Sequence, residues 1–572
     1  MLIFHPLEND YSYLGVEAQQ IMQQTIDWFE AKGKKKLTSD DRNYVWYDDF
    51  LSFTKANQLF AKLMTPQSYG GEKERWDTAR IAAFTEICAF YGLCYWYTYQ
   101  VSSLGLGPIW MSDNERAKER AAQLLREGHV FAFGLSEKEH GADIYSTSMQ
   151  LAKQADGTYL ANGRKYYIGN GNKAGMIAVF GRMETTNDYV WFVIDSQHPN
   201  YHLLKNIVNN QSYVAEFELK DYPIEEQDIL HLGAAAWDAA MNTVNLNKYN
   251  LGWGSIGICT HMFYESINHA GNRRLFDHFV TDFPHIKALF IKAYARLVAM
   301  RLFTSRAADY LRSASLDDRR YLLYNALVKM KVTREGEKVV DDLWDIIAAK
   351  GFENDTYFNI GTRDIRALPK LEGTVHVNMA LVVKFIANYF FNSTEYPPIP
   401  ERFDAANDDF VFQQGPARGI SKILFHDYTL AYDSYDLPNV NRFKRQIETF
   451  KEFLLMAGPN QEQRKDIDFL LTVGELFSLV VYGQLILEKA KLQELEESLI
   501  DQIFEVFVAD FSHFSLQIYN KPSSTEKQMA YALKMLVKPD FNPERTAEIW
   551  DKQVFVLKDS YAMNEEGVKI PM

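Results

Sequence analysis

The chain has 572 residues, 47% of them hydrophobic and 24% charged, with 61 Lys and Arg against 75 Asp and Glu and a formal charge of −14. This apolar content fills packed cores and excludes a disordered or low-complexity scaffold, the length calls for several domains of ~150 residues each, and the acidic balance argues against nucleic acid as a partner. Three cysteines, Cys88, Cys94 and Cys259, without a CxxC pair exclude a disulfide framework and a cysteine zinc site, and the 13 scattered histidines lack metal-ligand spacing, so no metal is expected.

The opening Met1-Leu2-Ile3-Phe4-His5-Pro6 is too short for a signal-peptide core and an acidic segment follows it, so the chain reads as cytoplasmic. From Glu17 to about Arg126 apolar periodicity predicts helices, broken at Pro66-Gln67-Ser68-Tyr69-Gly70-Gly71, which makes 1–127 an N-terminal helical domain. At Gly128 the character changes. Short β-rich runs at 177–180, 189–194 and 214–219, bounded by Gly, Asn, Asp and Pro, predict a middle β-domain over 128–235. Amphipathic stretches at 251–271, 283–312, 318–350 and 375–391 predict a helical domain over 236–394, where a lone His261 on an apolar face reads as a core or surface residue. Glu395-Tyr396-Pro397-Pro398-Ile399-Pro400 cannot be helical and reads as a linker into a further helical domain, 395–572. Its longest apolar stretch, 469–487, contains Glu475, Gln484 and two glycines, which favours a buried or dimer-facing helix over a membrane span.

Phosphate-loop, HExxH and GxSxG motifs are absent, and three other segments stand out. The first is Phe133-Gly134-Leu135-Ser136-Glu137-Lys138-Glu139-His140-Gly141-Ala142, followed by Asn162-Gly163-Arg164-Lys165-Tyr166-Tyr167-Ile168-Gly169-Asn170-Gly171. Loops leaving strands in this way offer backbone N–H groups and hydroxyls to a polar ligand, although each Asn-Gly pair alone reads as a hairpin turn. The second, Asn272-Arg273-Arg274-Leu275-Phe276, puts cations at a helix end, where the helix dipole alone would favour them. The third is Arg363-Asp364 and then Leu371-Glu372-Gly373-Thr374, ahead of an apolar helix from Val375. Glu372 there reads either as a dipole partner or as a general base at a pocket mouth.

In this order and spacing the three segments resemble the acyl-CoA dehydrogenase flavoprotein family over about residues 20–395, and the tail resembles the extra helical domain of its longer, dimeric members. The resemblance implies a mostly α fold with a central β-barrel domain: an α-helical N-domain, a β-barrel and a four-helix bundle, plus the C-terminal helical domain, with FAD between barrel and bundle. It implies flavin contacts from Phe133, Leu135 and Ser136, with Glu137 matching a family glutamate. Tyr167 and Gly169 stand where the family has tryptophan and threonine, so Gly169 offers only a backbone N–H. Arg273, with Phe276, is implied to reach the FAD diphosphate of a neighbouring subunit, a task suited to a bidentate guanidinium. Asp345 to Gly351 stand for a Gln-x-x-Gly-Gly-x-Gly stretch at the adenine end, and Thr374 for a flavin-holding threonine. Ala142 replaces a serine on the CoA or flavin side, Asn245 and Lys248 fall at the thioester-nucleotide entrance, Gly373 follows the base, and His376 replaces a frequent glutamine.

The activity so implied is α,β-dehydrogenation of an acyl-CoA or acyl carrier protein thioester, as in β-oxidation. Glu372 would take the α-proton while the β-hydride passes to flavin N5, and the backbone N–H of Glu372 with a ribityl hydroxyl would stabilise the enolate. A homodimer and an electron-transfer flavoprotein as electron acceptor are the implied partners. Gly105 and Gly107 either leave pocket depth for a medium or long acyl chain or end a helix. Two other readings stand beside this one: an acyl-CoA oxidase that uses dioxygen, and a family-like binding or regulatory protein with altered flavin contacts.

Overall fold

Residues 16–126 fold as helices because apolar side chains recur at helical spacing, with breaks at glycine, asparagine and proline. These are α1 (Val16–Lys32), α2 (Lys34–Arg42), α3 (Asp48–Ala56), α4 (Leu59–Met64), α5 (Thr78–Tyr91), α6 (Leu93–Trp110) and α7 (Glu115–Arg126). The Asp77 side chain caps α5 by accepting from the N–H groups of Ala79 and Arg80, and Asn114 caps α7 through Ala117. Almost every residue of α5 and α6 is buried, as expected of helices apolar on all sides.

Eight strands follow: β1 (Val130–Gly134), β2 (Gln150–Lys153), β3 (Tyr159–Gly169), β4 (Ala174–Met183), β5 (Tyr189–Ile194), β6 (Tyr201–Asn206), β7 (Val214–Ile224) and β8 (Ile229–Leu232). They form one sheet in the order β6-β7-β3-β2-β4-β5-β8, with β1 parallel to β4. The hydrogen-bonded path runs from β6 to β8, and this sheet is the central β-domain expected between the helical ones. Its core is built from Ile168, Val179, Phe192, Phe217 and Ile224.

The structure is a computed structural model that describes residues 2–8 and 10–566, and it divides into two compact units. The helices and sheet above belong to the first, Asp10–Asn250 with Phe403–Arg418. Residues 403–418 are held there because Asp408 accepts from the Thr78 N–H at 2.7 Å, donates its own N–H to the Trp76 carbonyl at 2.7 Å, and Phe412 packs edge-on to Trp76.

The second unit, Leu251–Arg402 with Gly419–Met563 and the first residues of the chain, is helical. It holds most of α8 (Gly233–Asn272), a hairpin of β9 (Arg274–Leu275) and β10 (His278–Phe279), then α9 (Pro284–Arg312), α10 (Tyr321–Leu327) and α11 (Thr333–Ile347), with a π-helical turn, Val328–Val332, between the last two. Then come α12 (Phe358–Ala367), α13 (Val375–Val382), α14 (Ile386–Phe391), the irregular proline segment, α15 (Thr429–Tyr432), α16 (Pro438–Met456), α17 (Ile467–Leu492), α18 (Glu497–Asn520), α19 (Glu526–Lys534) and α20 (Pro543–Ile549). Among the described residues one single helix, α17, is long and apolar enough to cross a membrane, and most of it is buried against α9, α13 and α18.

Buried charges tie α9 to α17 and α18. Arg296 bridges Glu335 and Asp510, and Glu488 accepts from Arg306 at 2.9 Å and Tyr310 at 2.9 Å, with His426 at 2.9 Å. Burial would raise the Glu488 carboxyl, but His426 and Arg306 outweigh it and hold it at about 2 against an ordinary 4.5. Because the folded value lies below the unfolded one, this carboxylate's contribution is present above about pH 4.5 and is lost as pH falls toward 2, ~3 kcal/mol in all. Denaturant unfolding at pH 6 and pH 3 should therefore show a smaller loss on acidification in Glu488→Gln than in the wild type. Equal losses would count against the assignment.

Candidate functional site

In the first unit the segment leaving β1 is held by one buried ion pair. Lys165 of β3, wholly buried, donates to Glu137 at 2.8 Å and to the Leu135 carbonyl at 3.0 Å. Glu137 also accepts from the Thr147 hydroxyl at 2.5 Å and from the N–H groups of Ser148 at 2.7 Å and Met149 at 3.1 Å. Burial alone would raise the Glu137 carboxyl, yet the Lys165 charge and these hydrogen bonds keep it below its ordinary value; burial brings Lys165 down to about 8 despite Glu137. The Ser136 carbonyl accepts from the Tyr166 N–H at 2.9 Å, so the chain from Leu135 to Glu137 is fastened to β3 on both sides. Phe133 stacks on Trp191 at 5.2 Å. Phe133, Leu135 and Ser136 are half-buried, whereas Ala142 lies in an exposed turn.

The second motif behaves differently from two hairpin turns. Asn162-Gly163 lies inside β3 at a bulge against β7, with Gly163 at φ 145°, and only Asn170-Gly171 turns the chain, into β4. A second bulge falls between Tyr166 and Ile168, leaving Tyr167 at φ 65° and 64% exposed. At Gly169 a Cβ would lie 2.8 Å from the Tyr97 hydroxyl and 2.8 Å from Val101, so a threonine there would require these side chains of α6 to shift. Tyr97 was not singled out in the sequence, since its neighbour Gly169 lies far away in the chain.

Gly105 and Gly107 do not end a helix, since α6 continues to Trp110. A Cβ on Gly105 would lie 2.5 Å from the Ala132 carbonyl oxygen, and one on Gly107 2.5 Å from Thr243. Gly105 thus lets α6 lie directly on the backbone of β1, and Gly107 lets it lie against Thr243 of α8. Asn245 and Lys248 are not at an open entrance either: both are buried, and the Asn245 amide donates to Gln414 at 3.2 Å. The segment that meets Asn245 is 403–418, whose Gly415 carbonyl also accepts from Asn242 at 2.8 Å and whose Ala417 N–H donates to Asp238 at 3.0 Å.

In the second unit Arg273 stands exposed at the foot of the β9–β10 hairpin, whose turn residues Phe276 and Asp277 are both left-handed, at φ 52° and 64°. Such turns favour Asn-Gly, so a phenylalanine that is 88% exposed there is costly unless something covers it. Burial, then the charges of Arg273 and Lys350, hold nearby His269 below its ordinary value. Asp345 is exposed at the end of α11, and Gly351 is buried against Ile347 and Trp344. Ala348, first of the two alanines in the paired-glycine positions, sits at φ 54°, ψ −137°, a glycine conformation. Ala348→Gly should raise unfolding free energy by ~1 kcal/mol through release of this strain. A melting temperature at or below wild type would contradict it.

The Glu372 loop connects Leu368–Lys370 to α13. Thr374 is the N-cap, accepting from the Val377 N–H at 3.4 Å, so the carboxylate two residues earlier is not the cap. Glu372 is half-buried at φ 51° and Gly373 follows at φ 85°. The loop's carbonyls are held from below: Asn378 donates to those of Gly373 at 3.2 Å and Thr374 at 3.0 Å, and the wholly buried Lys329 donates to Pro369 at 2.7 Å and to Gly373. Lys329 and Asn378 were not singled out in the sequence. His376 is exposed, and His261 is buried, stacked on Tyr357 at 4.2 Å. Among the described residues no cluster of His, Cys, Asp and Glu could hold a metal ion.

Residues 132–221 match the family model for the acyl-CoA dehydrogenase middle domain and residues 236–387 that for the acyl-CoA dehydrogenase C-terminal domain. A probable short/branched chain specific acyl-CoA dehydrogenase of Dictyostelium discoideum is 22% identical over 279 residues, 48% of this chain and 67% of that protein. A short-chain specific acyl-CoA dehydrogenase of Megasphaera elsdenii is 22% identical over 63% of this chain and 95% of its own length. The structure of an acyl-CoA dehydrogenase complexed with FAD from Bacillus anthracis superposes with a TM-score of 0.73 at 18% identity, covering 97% of each chain, so the C-terminal helices also share that fold.

Proposed function

Because the chain carries the middle and C-terminal domains of the acyl-CoA dehydrogenases and belongs to that family, we propose that it is an FAD-dependent oxidoreductase that converts an acyl thioester to its trans-2-enoyl thioester. The observation that carries this reading is the Glu372 loop: the glutamate sits in a strained left-handed conformation, does not cap its helix, and is followed by a Gly373 carbonyl that both Lys329 and Asn378 hold. The residues present also fit a flavin nucleotide. Tyr167 and Phe276 each hold an aromatic face out to solvent from a costly backbone conformation, as a planar ring system would need, and Arg273 beside Phe276 suits a diphosphate.

FAD, when bound, supplies the two-electron acceptor for the β-hydride. Glu372 removes the α-proton, and its backbone N–H steadies the charge that develops on the thioester oxygen. The exposed Arg273 hairpin serves a second copy of the chain, which makes the working unit a homodimer; light scattering tests this. The short- and branched-chain names of the relatives favour a short acyl group. We place the reaction in the cytoplasm.

The deciding experiment is an absorbance spectrum of the purified protein followed by anaerobic addition of acyl-CoAs of graded length. A flavin band that bleaches with short acyl-CoAs is the expected result. A colourless protein that takes up no FAD would overturn the proposal, and peroxide formed on admitting air would identify an oxidase.

A further inference from the structure

Lys329 is a lysine with no exposed surface, placed beneath the loop that carries Glu372. Burying an ammonium group is unfavourable unless specific acceptors compensate it, and an aliphatic side chain would fill the same volume without that cost. Among the acceptors it meets are two main-chain carbonyls of the Glu372 loop, Pro369 three residues before the carboxylate at 2.7 Å and Gly373 immediately after it. Lys331, two residues on, is bonded instead to Glu335 at 2.8 Å, part of the cluster that ties α9, α11 and α18 together. Neighbouring lysines of one turn therefore have separate tasks.

The backbone supports the same reading. Lys329 lies in the π-helical turn Val328–Val332 that interrupts α10 and α11, and an inserted π turn re-aims side chains that a regular helix would point elsewhere. A glutamate at φ 51° persists only where its surroundings over-determine it, and here the Gly373 carbonyl is held twice, by Lys329 and by Asn378 at 3.2 Å.

We infer that Lys329 is the positioning residue of the base: by holding the main chain on both sides of Glu372 it sets where the carboxylate can reach. This rests on the reading of Glu372 as the base in the preceding subsection.

The test uses the full-length protein loaded with FAD and compares wild type, Lys329→Met, Lys329→Gln and Glu372→Gln. Single-turnover flavin bleaching by the preferred acyl-CoA should be ~100-fold slower in Lys329→Met, since a displacement near 1 Å is enough for that. Affinity for an unreactive alkyl-CoA thioether, read from the flavin spectrum, should stay within about threefold, because substrate binding does not need the base in place. Amide hydrogen exchange should quicken at 369–376 and remain unchanged in α9 and α17, and Lys329→Gln, which keeps a donor, should recover about tenfold of the lost rate. Wild-type bleaching per flavin in Lys329→Met, or exchange that rises throughout the bundle alike, would show a purely structural lysine and overturn the inference. Should Lys329→Met not fold, Lys329→Gln decides alone: slower bleaching with unchanged thioether affinity supports the role, and an unchanged rate refutes it. Wild-type bleaching in Glu372→Gln would remove the base assignment itself, an outcome visible independently of either lysine variant.

Discussion

Glu372→Gln is expected to lower turnover by about 10²- to 10⁴-fold while the protein keeps its flavin and its melting temperature. The amide has nearly the volume of the carboxylate, so loop packing and the holds from Lys329 and Asn378 on the Gly373 carbonyl stay in place. Only the capacity to accept a proton is lost. A companion substitution separates chemistry from strain: at φ 51° glycine is at ease where glutamate is not, so Glu372→Gly should gain ~1 kcal/mol of stability while losing the same activity. A protein made more stable and inactive by one substitution is the pattern of a residue kept for function. Near-normal turnover in Glu372→Gln would require another base, and loss of the flavin would mean that the glutamate shapes the cofactor site.

The largest effect on stability is expected at Lys165. Lys165→Met leaves the Glu137 carboxylate buried without its cation, and breaking a buried pair from one side typically costs ~3–5 kcal/mol. Glu137 would keep its bonds from Thr147, Ser148 and Met149, which should hold the loss at the lower end of that range. The change should also loosen Leu135 and Ser136, because Lys165 fastens the Leu135 carbonyl at 3.0 Å, and FAD affinity should fall with it. Adding Glu137→Gln to Lys165→Met should restore a large part of the stability, since the uncompensated charge is then gone. Denaturant unfolding of the two single variants and the double variant measures this directly. Simple additivity would show that the two side chains do not act as a pair.

Periodicity and turn residues were enough to read the helices of 16–126, the strands at 177–180, 189–194 and 214–219, and the long helices after them, because each such signal lies within a few residues of the backbone it shapes. The same local reading failed where its cause was distant. Asn162-Gly163 has the composition of a hairpin turn, yet β7 pairs across it and makes it a bulge. Gly105 and Gly107 have the composition of a helix end, yet the backbone of β1 and Thr243 lie against them and the helix continues. Asn245 was placed at an entrance by the resemblance, but it is buried and bonded to Gln414, in a segment some 170 positions along the chain.

The candidate site divides in the same way. Glu372-Gly373-Thr374, Arg273 and Phe276 are visible as residue types in a characteristic order, and that order carries the resemblance to the family whose domain models match residues 132–221 and 236–387. What the sequence by itself could not express is what holds them: Lys165 on Glu137, 28 residues apart, Tyr97 against Gly169, and Lys329 beneath a loop 44 residues further on. The physical reason is that chain composition dictates which local conformations and which burials are favourable, whereas the partner of a buried charge or carbonyl is whatever group the packed fold brings within about 3 Å of it.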